Sequence, residues 1–335
     1  MNEVKPVISF TIPTWNRANE LRECLDSIIP QILESNEKIE IVISDNASTD
    51  NTSEVVKEYL EKYDFLKYFK NSENLGFDLN LISAVEKASG DYVWLFSDDD
   101  WLADGGLNEI INIINKCRPC FISTNFRFIV QNKEIDFDSH REHMVKSDIN
   151  GCTIDDLFLY RTHFFTFMTS NVLLKKLINI PHCRSQIDAY HNWIHVYMIA
   201  QVLGSRACGY ISSYYAVLSR ADNNRTDPIV FLGPMPDTFQ RIFEEFDISQ
   251  STRSKVIQDI RRDFLTLRNW ITLLITNKTV SLSKSLAIPM YYRVLKIIPK
   301  KLLLFLWKMY RLLKGKGYSL PTEIGDFLRK ETVIK

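Results

Sequence analysis

The sequence predicts an α/β fold, with a parallel sheet covered on both faces by helices and a helical C-terminal extension behind it. Three observations carry this. Short apolar runs alternate with amphipathic segments through the first hundred residues. The polar clusters of this region sit at the ends of the apolar runs. From Asp237 onward only helical periodicity remains, broken near Thr279 and at Pro289 and Pro299. Strand, helix, strand, helix in that order needs crossover connections, and these place helices on both faces of a parallel sheet.

Val7 to Ile12 reads as a buried strand closed by Pro13. Asn19 can cap a helix whose apolar residues Leu21, Leu25, Ile28 and Ile29 fall at helical spacing. Ile39 to Ser44 is a second strand, and Asp45 to Asp50 supply turn and capping residues for a helix through Val55, Val56, Tyr59 and Leu60. Leu66 to Phe69 is a short third strand and Asn80 to Ala88 a third helix. Asp91 to Phe96 is a fourth strand that runs into Ser97, Asp98, Asp99 and Asp100. Further on, Phe121 to Val130 is strand-like, Asp148 to Tyr160 helical, and Phe164 to Leu174 apolar with small polar residues between. His191 to Leu203 is helical, and Ser212 to Leu218 is a last strand. In open sheets of this kind ligands bind beyond the carboxyl ends of the strands, where these polar clusters lie.

Basic and acidic residues balance at 41 each, which excludes a general nucleic-acid binder. The balance is uneven along the chain. Residues 281–335 hold 12 Lys/Arg against 3 Asp/Glu, leaving 29 against 38 in the body. Such a basic tail points to a surface partner. The six cysteines are scattered, and Cys117-Arg-Pro-Cys120 lacks the second pair a zinc site needs. They read as reduced thiols of a cytosolic protein. No stretch reaches the ~20 apolar residues of a membrane span; near the end the longest, Leu302 to Trp307, has six.

Three adjacent aspartates after an apolar strand repel one another, and each raises its neighbours' pKa. A fold tolerates this where a cation offsets the charge. Mg²⁺ or Mn²⁺ fits, held by one or two carboxylates together with substrate phosphates. A solvated acidic turn capping a helix near Leu102 is the alternative.

Taken in order, Thr11 to Arg17, Ser44 to Asp50, Asn74-Leu75-Gly76 and Ser97 to Asp100 resemble the motifs of the family 2 glycosyltransferases of GT-A fold. The resemblance is strong over residues 5–105 and weak to about 225. It implies a nucleotide-diphospho-sugar transferase with a Rossmann-like mixed sheet. By this resemblance Pro13, Thr14, Asn16 and Arg17 wrap the nucleotide, with Arg17 near the phosphates, and Asp45 accepts a hydrogen bond from the base. Asn74 and Gly76 let the backbone approach the nucleotide. Asp98 faces the ribose and serves with Asp100 as metal ligand, with Asp99 beside the sugar, the register being open by one residue. Arg17 as a surface charge, Asp45 and Asp50 as helix caps and Asn74 to Gly76 as a plain turn are the alternatives.

An inverting transfer needs a base for the acceptor hydroxyl. Inverting relatives carry an acidic pair before a tryptophan-led helix, whereas this chain has His191-Asn192-Trp193 there. Asp188, His191 and His195 are therefore the candidates, and a retaining reaction would need none of them as base. Phe164 to Asn171 and Ser219 to Asn223 resemble segments of bacterial transferases for dideoxyhexoses in O-antigen assembly, the abequosyltransferase-like group. This implies that Arg220 and Asp222 lie near the donor diphosphate or the acceptor. A core aromatic stripe is the alternative for the phenylalanines.

In the tail, Leu295, Ile298, Leu302, Phe305, Leu306, Met309 and Leu313 recur at three and four residues among many lysines. A basic amphipathic helix lying on the membrane surface has this pattern, as has a helix packed on the acidic body. The expected organisation is a GT-A domain over 1–230, with a nucleotide-binding half (1–105) and an acceptor half (106–230), then a membrane-associating extension over 235–335. The expected location is the cytoplasmic face of the membrane, and the acceptor a glycan, lipid-linked, for surface polysaccharide. A sugar nucleotidyltransferase and a catalytically inactive relative acting as a membrane-bound assembly factor are the alternatives.

Overall fold

The structure is a computed structural model, and it describes residues 4–130, 133–135, 144–162, 164–204, 206–220 and 234–264. The first strands and helices follow the expected order: β1 (Ile8–Thr14), α1 (Ala18–Glu34), β2 (Ile39–Asp45), α2 (Thr52–Leu60), β3 (Leu66–Lys70), α3 (Phe77–Lys87) and β4 (Tyr92–Leu95). β1 pairs with β2 and β4, and β2 with β3, all parallel. All seven residues of β1 and of β2 are buried, because helices cover both faces. The helix after β1 is not capped by Asn19. Asp50 Oδ2 accepts a hydrogen bond from the Ala18 amide (3.1 Å), and Oδ1 accepts one from the Thr52 amide (3.1 Å), so one carboxylate starts both α1 and α2.

Beyond β4 come β5 (Asp100–Leu102), α4 (Gly106–Cys117), β6 (Phe121–Val130), β7 (Lys133–Ile135), β8 (Ile149–Cys152), α5 (Ile154–Arg161), β9 (Asn171–Leu174), α6 (Ile180–Ser185), α7 (Ile194–Leu203) and β10 (Gly209–Arg220). The strand order is β3-β2-β1-β4-β9-β6-β10-β5, with β7 beside β6 and β8 beside β10. The sheet is mixed: β9 runs antiparallel to β4 and β6, and β5 antiparallel to β10. Two expected helices are corrected. Residues 149–152 form a strand, and the helix starts only after Thr153, whose hydroxyl forms a capping box with Asp156. Likewise α7 starts at Ile194 rather than His191. The stretch from Phe164 holds two 3₁₀ turns before β9.

The core is aromatic beneath the site. Phe10 stacks on Trp94 at 4.9 Å, and both rings meet Phe96 edge-on. At the opposite end of β2, buried Glu40 accepts hydrogen bonds from the Ser9 hydroxyl (2.5 Å), the Ser89 amide (2.5 Å) and hydroxyl (2.7 Å) and the Gly90 amide (3.2 Å), with Lys67 Nζ at 2.7 Å. Gly90 is required here, since a Cβ would stand 2.5 Å from Ser9 Oγ. Cys120 and Cys208 form a disulfide, contrary to the expectation of reduced thiols throughout; they precede β6 and β10, and the Cys120 amide bonds the Cys208 carbonyl (2.8 Å).

The chain divides into two compact units, residues 1–220 with 245–252, and residues 221–244 with 253–335. Helices α8 (Pro234–Glu245) and α9 (Gln250–Phe264) belong mostly to the second, Glu245 and Gln250 to Thr252 being assigned to the first. Asp222, Asn223 and the basic amphipathic tail lie outside the described residues. Among the described residues no helix is long and apolar enough to cross a membrane.

Candidate active site

The carboxyl ends of β1, β2 and β4 lie side by side, and the loops leaving them are laced together. Thr14, the last residue of β1, is in register with Asp45, the last of β2. Asn16 takes a left-handed backbone (φ +52°), its amide donates to Ser48 Oγ (2.9 Å), and its own Oδ1 accepts from the Thr49 amide (2.8 Å). Asp45 is fully buried. Its Oδ1 accepts from the Ser48 amide (2.8 Å), Oδ2 accepts from the Tyr68 hydroxyl (2.5 Å), and Lys70 Nζ is 3.9 Å away. It therefore shapes its own loop and does not cap α2, whose first amide goes to Asp50. Burial and the Asp45 hydrogen bond push the Tyr68 phenol well above its ordinary value, so it stays a donor.

Asn46 organises the next loop. Its Nδ2 donates to Asn74 Oδ1 (2.7 Å) and the Gly76 carbonyl (3.2 Å), while its Oδ1 accepts from the Leu75 amide (2.8 Å) and from Asn71 Nδ2 (3.2 Å). Gly76 caps α3 with φ +82°, a conformation that favours glycine. Asn74 and Gly76 are thus held at the carboxyl edge of β2, the place expected of them.

The acidic triplet closes this edge. Asp98 is buried and accepts from Arg17 Nη1 at 2.7 Å, and the same nitrogen is 3.3 Å from Asp99 Oδ2. Asp99 also accepts from the Ser97 hydroxyl. Asp100, again buried, turns the other way. Its Oδ2 accepts from Thr169 Oγ1 (2.5 Å), and it faces Ser219 across the β5–β10 pair. Thr169 is itself fixed, since its carbonyl accepts from Trp94 Nε1 (2.8 Å) and its hydroxyl accepts from the Ser97 amide (3.1 Å). Burial drives the Asp98 carboxyl up to about 6; the Arg17 charge opposes this and the Asp99 charge adds to it. Burial and then Asp99 push Asp100 up as well, against the Thr169 and Ser219 hydroxyls. Arg17 thus supplies, within the protein, part of the positive charge expected from a bound cation. Arg220 lies beside the triplet, its guanidinium 4.4 Å over the Trp101 ring and ion-paired with Glu23.

Two buried carboxylates, with one partly exposed arginine paired to Asp98 and Asp99, remain short of positive charge, so the donor set fits a hard divalent cation. Among the described residues no three His, Cys, Asp or Glu side chains converge as a finished cation site, so substrate phosphates and water would complete the shell.

The acceptor-side candidates separate clearly. His195 is enclosed; its Nε2 donates to the Thr166 carbonyl (2.8 Å), and burial lowers its pKa to about 4. Asp188 is exposed on the turn between α6 and α7. His191 is also exposed, and its Nδ1 lies 3.9 Å from Asp78 Oδ2. The aromatic stripe is largely core, with Phe165 edge-on to Phe158 and Phe167 stacked on Phe126. Sequence reasoning missed Asp78, Asn46, Tyr68 and Thr169 as site residues. Asn46, Tyr68 and Thr169 lay inside or beside recognised segments, but nothing local marks Asp78.

The family model for glycosyl transferase family 2 matches residues 9–186, just over half the chain. Abequosyltransferase RfbV of Salmonella typhimurium is 49% identical over 102 residues, 30% of this chain and 30% of that protein. A Campylobacter jejuni GalNAc(5)-diNAcBac-PP-undecaprenol beta-1,3-glucosyltransferase is 33% identical over 112 residues, 33% of this chain and 35% of the relative. The matches thus span about a third of these relatives' length. The structure of S. aureus TarS in complex with UDP superposes with a TM-score of 0.58 at 16% identity, covering 82% of this chain and 75% of that one. The fold is accordingly GT-A.

Proposed function

The chain belongs to glycosyl transferase family 2, and from that membership we propose that it moves a sugar from a nucleotide-diphosphate donor to a glycan acceptor. The observation supporting this most directly is the joining of four sequence-distant segments at one sheet edge, with Arg17 paired to Asp98 and Asp99. In this reading the loops from Pro13 to Arg17 and from Asp45 to Asp50 wrap the nucleotide, with Asp45 toward the base and Asn74 and Gly76 lining the approach. Exposed Trp15 offers its ring face to a base or sugar. Arg17 leaves its carboxylate partners to meet the diphosphate, and Arg220 lies beside it.

Asp98 and Asp100 would hold a Mn²⁺ or Mg²⁺ ion, with Asp99 beside the sugar. Such an ion stabilises the charge that develops on the departing nucleotide diphosphate. Around it the protein's part is to fix Asp100 through Thr169. The similarity to an abequosyltransferase and to a transferase whose name carries an undecaprenol-linked glycan supports a lipid-linked acceptor in surface-polysaccharide assembly. The basic tail would then hold the enzyme peripherally on the cytoplasmic face of the membrane.

Phosphorus NMR on reactions with UDP-, CDP-, GDP- and dTDP-sugars tests this reading. Release of a nucleoside diphosphate from one donor is expected. Release of pyrophosphate from a nucleoside triphosphate and sugar phosphate would mean a nucleotidyltransferase, and no product with any donor would mean an inactive relative.

A further inference from the structure

Asp78 stands in the first turn of α3, two residues after the Gly76 that ends the candidate donor loop. Its side chain is only 4% exposed, yet it caps nothing on its own helix. Instead it reaches the start of α7, 116 residues later, where Oδ2 accepts from the Asn192 amide (2.6 Å) and Oδ1 from the Ile194 amide (3.3 Å). Those amides point at it because Asn192 takes a left-handed backbone (φ +64°) and turns the chain just before the helix. A second contact joins the same two turns, the Phe77 ring meeting the His195 ring edge-on at 6.2 Å. The segment with Thr166 and Thr169 links this corner to the triplet, bonding His195 at one end and Asp100 at the other. The donor loop, the triplet and the first turn of α7 are therefore one connected piece.

Beside that piece His191 is an exposed basic group on the turn leading into α7. Its Nδ1 is 3.9 Å from the Asp78 carboxylate, too long for a hydrogen bond but within ion-pair range once the ring carries a proton. The contact strengthens only when His191 gains a proton, so it favours the state after proton transfer over the state before it. A carboxylate beside a histidine base stabilises the imidazolium that forms, and Asp78 stands at ion-pair distance for this, without the hydrogen bond. Neither rival candidate shares this contact. His195 is enclosed with Nε2 committed to a carbonyl, and Asp188 stands three residues further back on the exposed turn.

We propose that His191 is the base of the transfer and that Asp78 is its positioning residue, fixing the turn that carries it and balancing its charge. The acceptor hydroxyl gives its proton to His191 Nε2 as its oxygen bonds to the sugar carbon. The bond from that carbon to the phosphate oxygen breaks, and its electron pair leaves on the nucleotide diphosphate. This rests on the reading of the protein as a sugar transferase that inverts configuration.

The test uses the full chain, taking whichever of UDP-, CDP-, GDP- and dTDP-sugar binds and following nucleoside diphosphate release to water or to methyl hexosides. His191→Gln should lower kcat at least 100-fold, the scale of general base catalysis, with donor affinity and KM within threefold of wild type. Asp78→Asn should lower kcat about 10-fold or more, again without moving donor affinity. Adding Asn192→Asp to His191→Gln returns a carboxylate to the same turn and should restore part of kcat, which a purely structural role would not do. Wild-type activity in His191→Gln would overturn the proposal. So would a loss in Asp78→Asn that appears only in donor affinity or melting temperature, or a wild type that binds donor but never turns it over. A wild type that binds no nucleotide at all would instead sink the transferase reading, and this proposal with it.

Discussion

Replacing Glu40 by Gln separates the scaffold of this protein from its site. Glu40 sits on β2 but five residues before Asp45, toward the end of the strand away from the donor loops. Burial pushes its carboxyl up, yet Lys67 and the hydrogen bonds from Ser9 and Ser89 outweigh this and hold it at about 2, against an ordinary 4.5. That difference corresponds to about 3 kcal/mol of folding stability. Because the folded-state value is depressed, the contribution is complete above about pH 4.5 and lost as pH falls toward 2, with about 2 kcal/mol gone by pH 3. Gln keeps an acceptor for Ser9 and the two amides but loses the charge, so at pH 6–7 it should cost about 3 kcal/mol, or roughly 6–12 °C in Tm. Urea unfolding of wild type and Glu40→Gln at pH 7, 5, 4 and 3 gives the gap directly. It should narrow over the acid range while nucleotide affinity at pH 7 stays unchanged. A gap below 1 kcal/mol at pH 7, or one that does not change with pH, would refute the reasoning.

Asn46→Ala removes four side-chain hydrogen bonds from the 71–76 loop; it should cost about 2 kcal/mol, speed amide exchange at Leu75 and weaken nucleotide binding at least 10-fold, and unchanged exchange would disprove Asn46's role. Without divalent cation, the raised carboxyls of Asp98 and Asp100 hold stability below their ordinary 3.8 and lose it as pH rises through about 6 for Asp98 and higher for Asp100. The Tm gain from Mn²⁺ should accordingly be larger at pH 8 than at pH 6 by differential scanning fluorimetry, and an equal gain at both would count against ligation by these residues. Reducing Cys120–Cys208, which are 88 residues apart, should remove roughly 4 kcal/mol of loop-closure stabilisation and lower Tm by about 10 °C; an unchanged Tm in reductant would contradict a structural role for the bridge.

β1, β2 and β4 were legible because both of their faces are buried, which leaves near-continuous apolar runs. β5 was not, since a three-residue edge strand that begins with an aspartate has no apolar period to read. β8 was hidden for a similar reason, although the capping box from Thr153 to Asp156 was there to mark where the helix really begins. His191 to Trp193 continue the helical pattern of α7 in sequence, but Asp78 takes the Asn192 and Ile194 amides and the helix starts later. In the site, the loops were readable as ordered motifs, whereas their partners are long-range. Arg17 meets Asp98 across 81 residues and Thr169 meets Asp100 across 69, and no local spacing encodes either contact. Arg17 was visible in the sequence, but that it would offset part of the triplet's charge was not, because its placement is set by the fold.

The proposed function requires that the joined loops and the triplet bind a nucleoside diphosphate. A thermal-shift panel of UDP, CDP, GDP and dTDP, each with and without Mn²⁺, tests it most directly, because a ligand that binds the native state raises Tm by mass action. One nucleotide class should give a metal-dependent rise that is lost in Asp45→Asn and Asp98→Asn. No rise with any nucleotide at about 1 mM, where a Kd of 10 μM would add about 2.7 kcal/mol, would contradict the account.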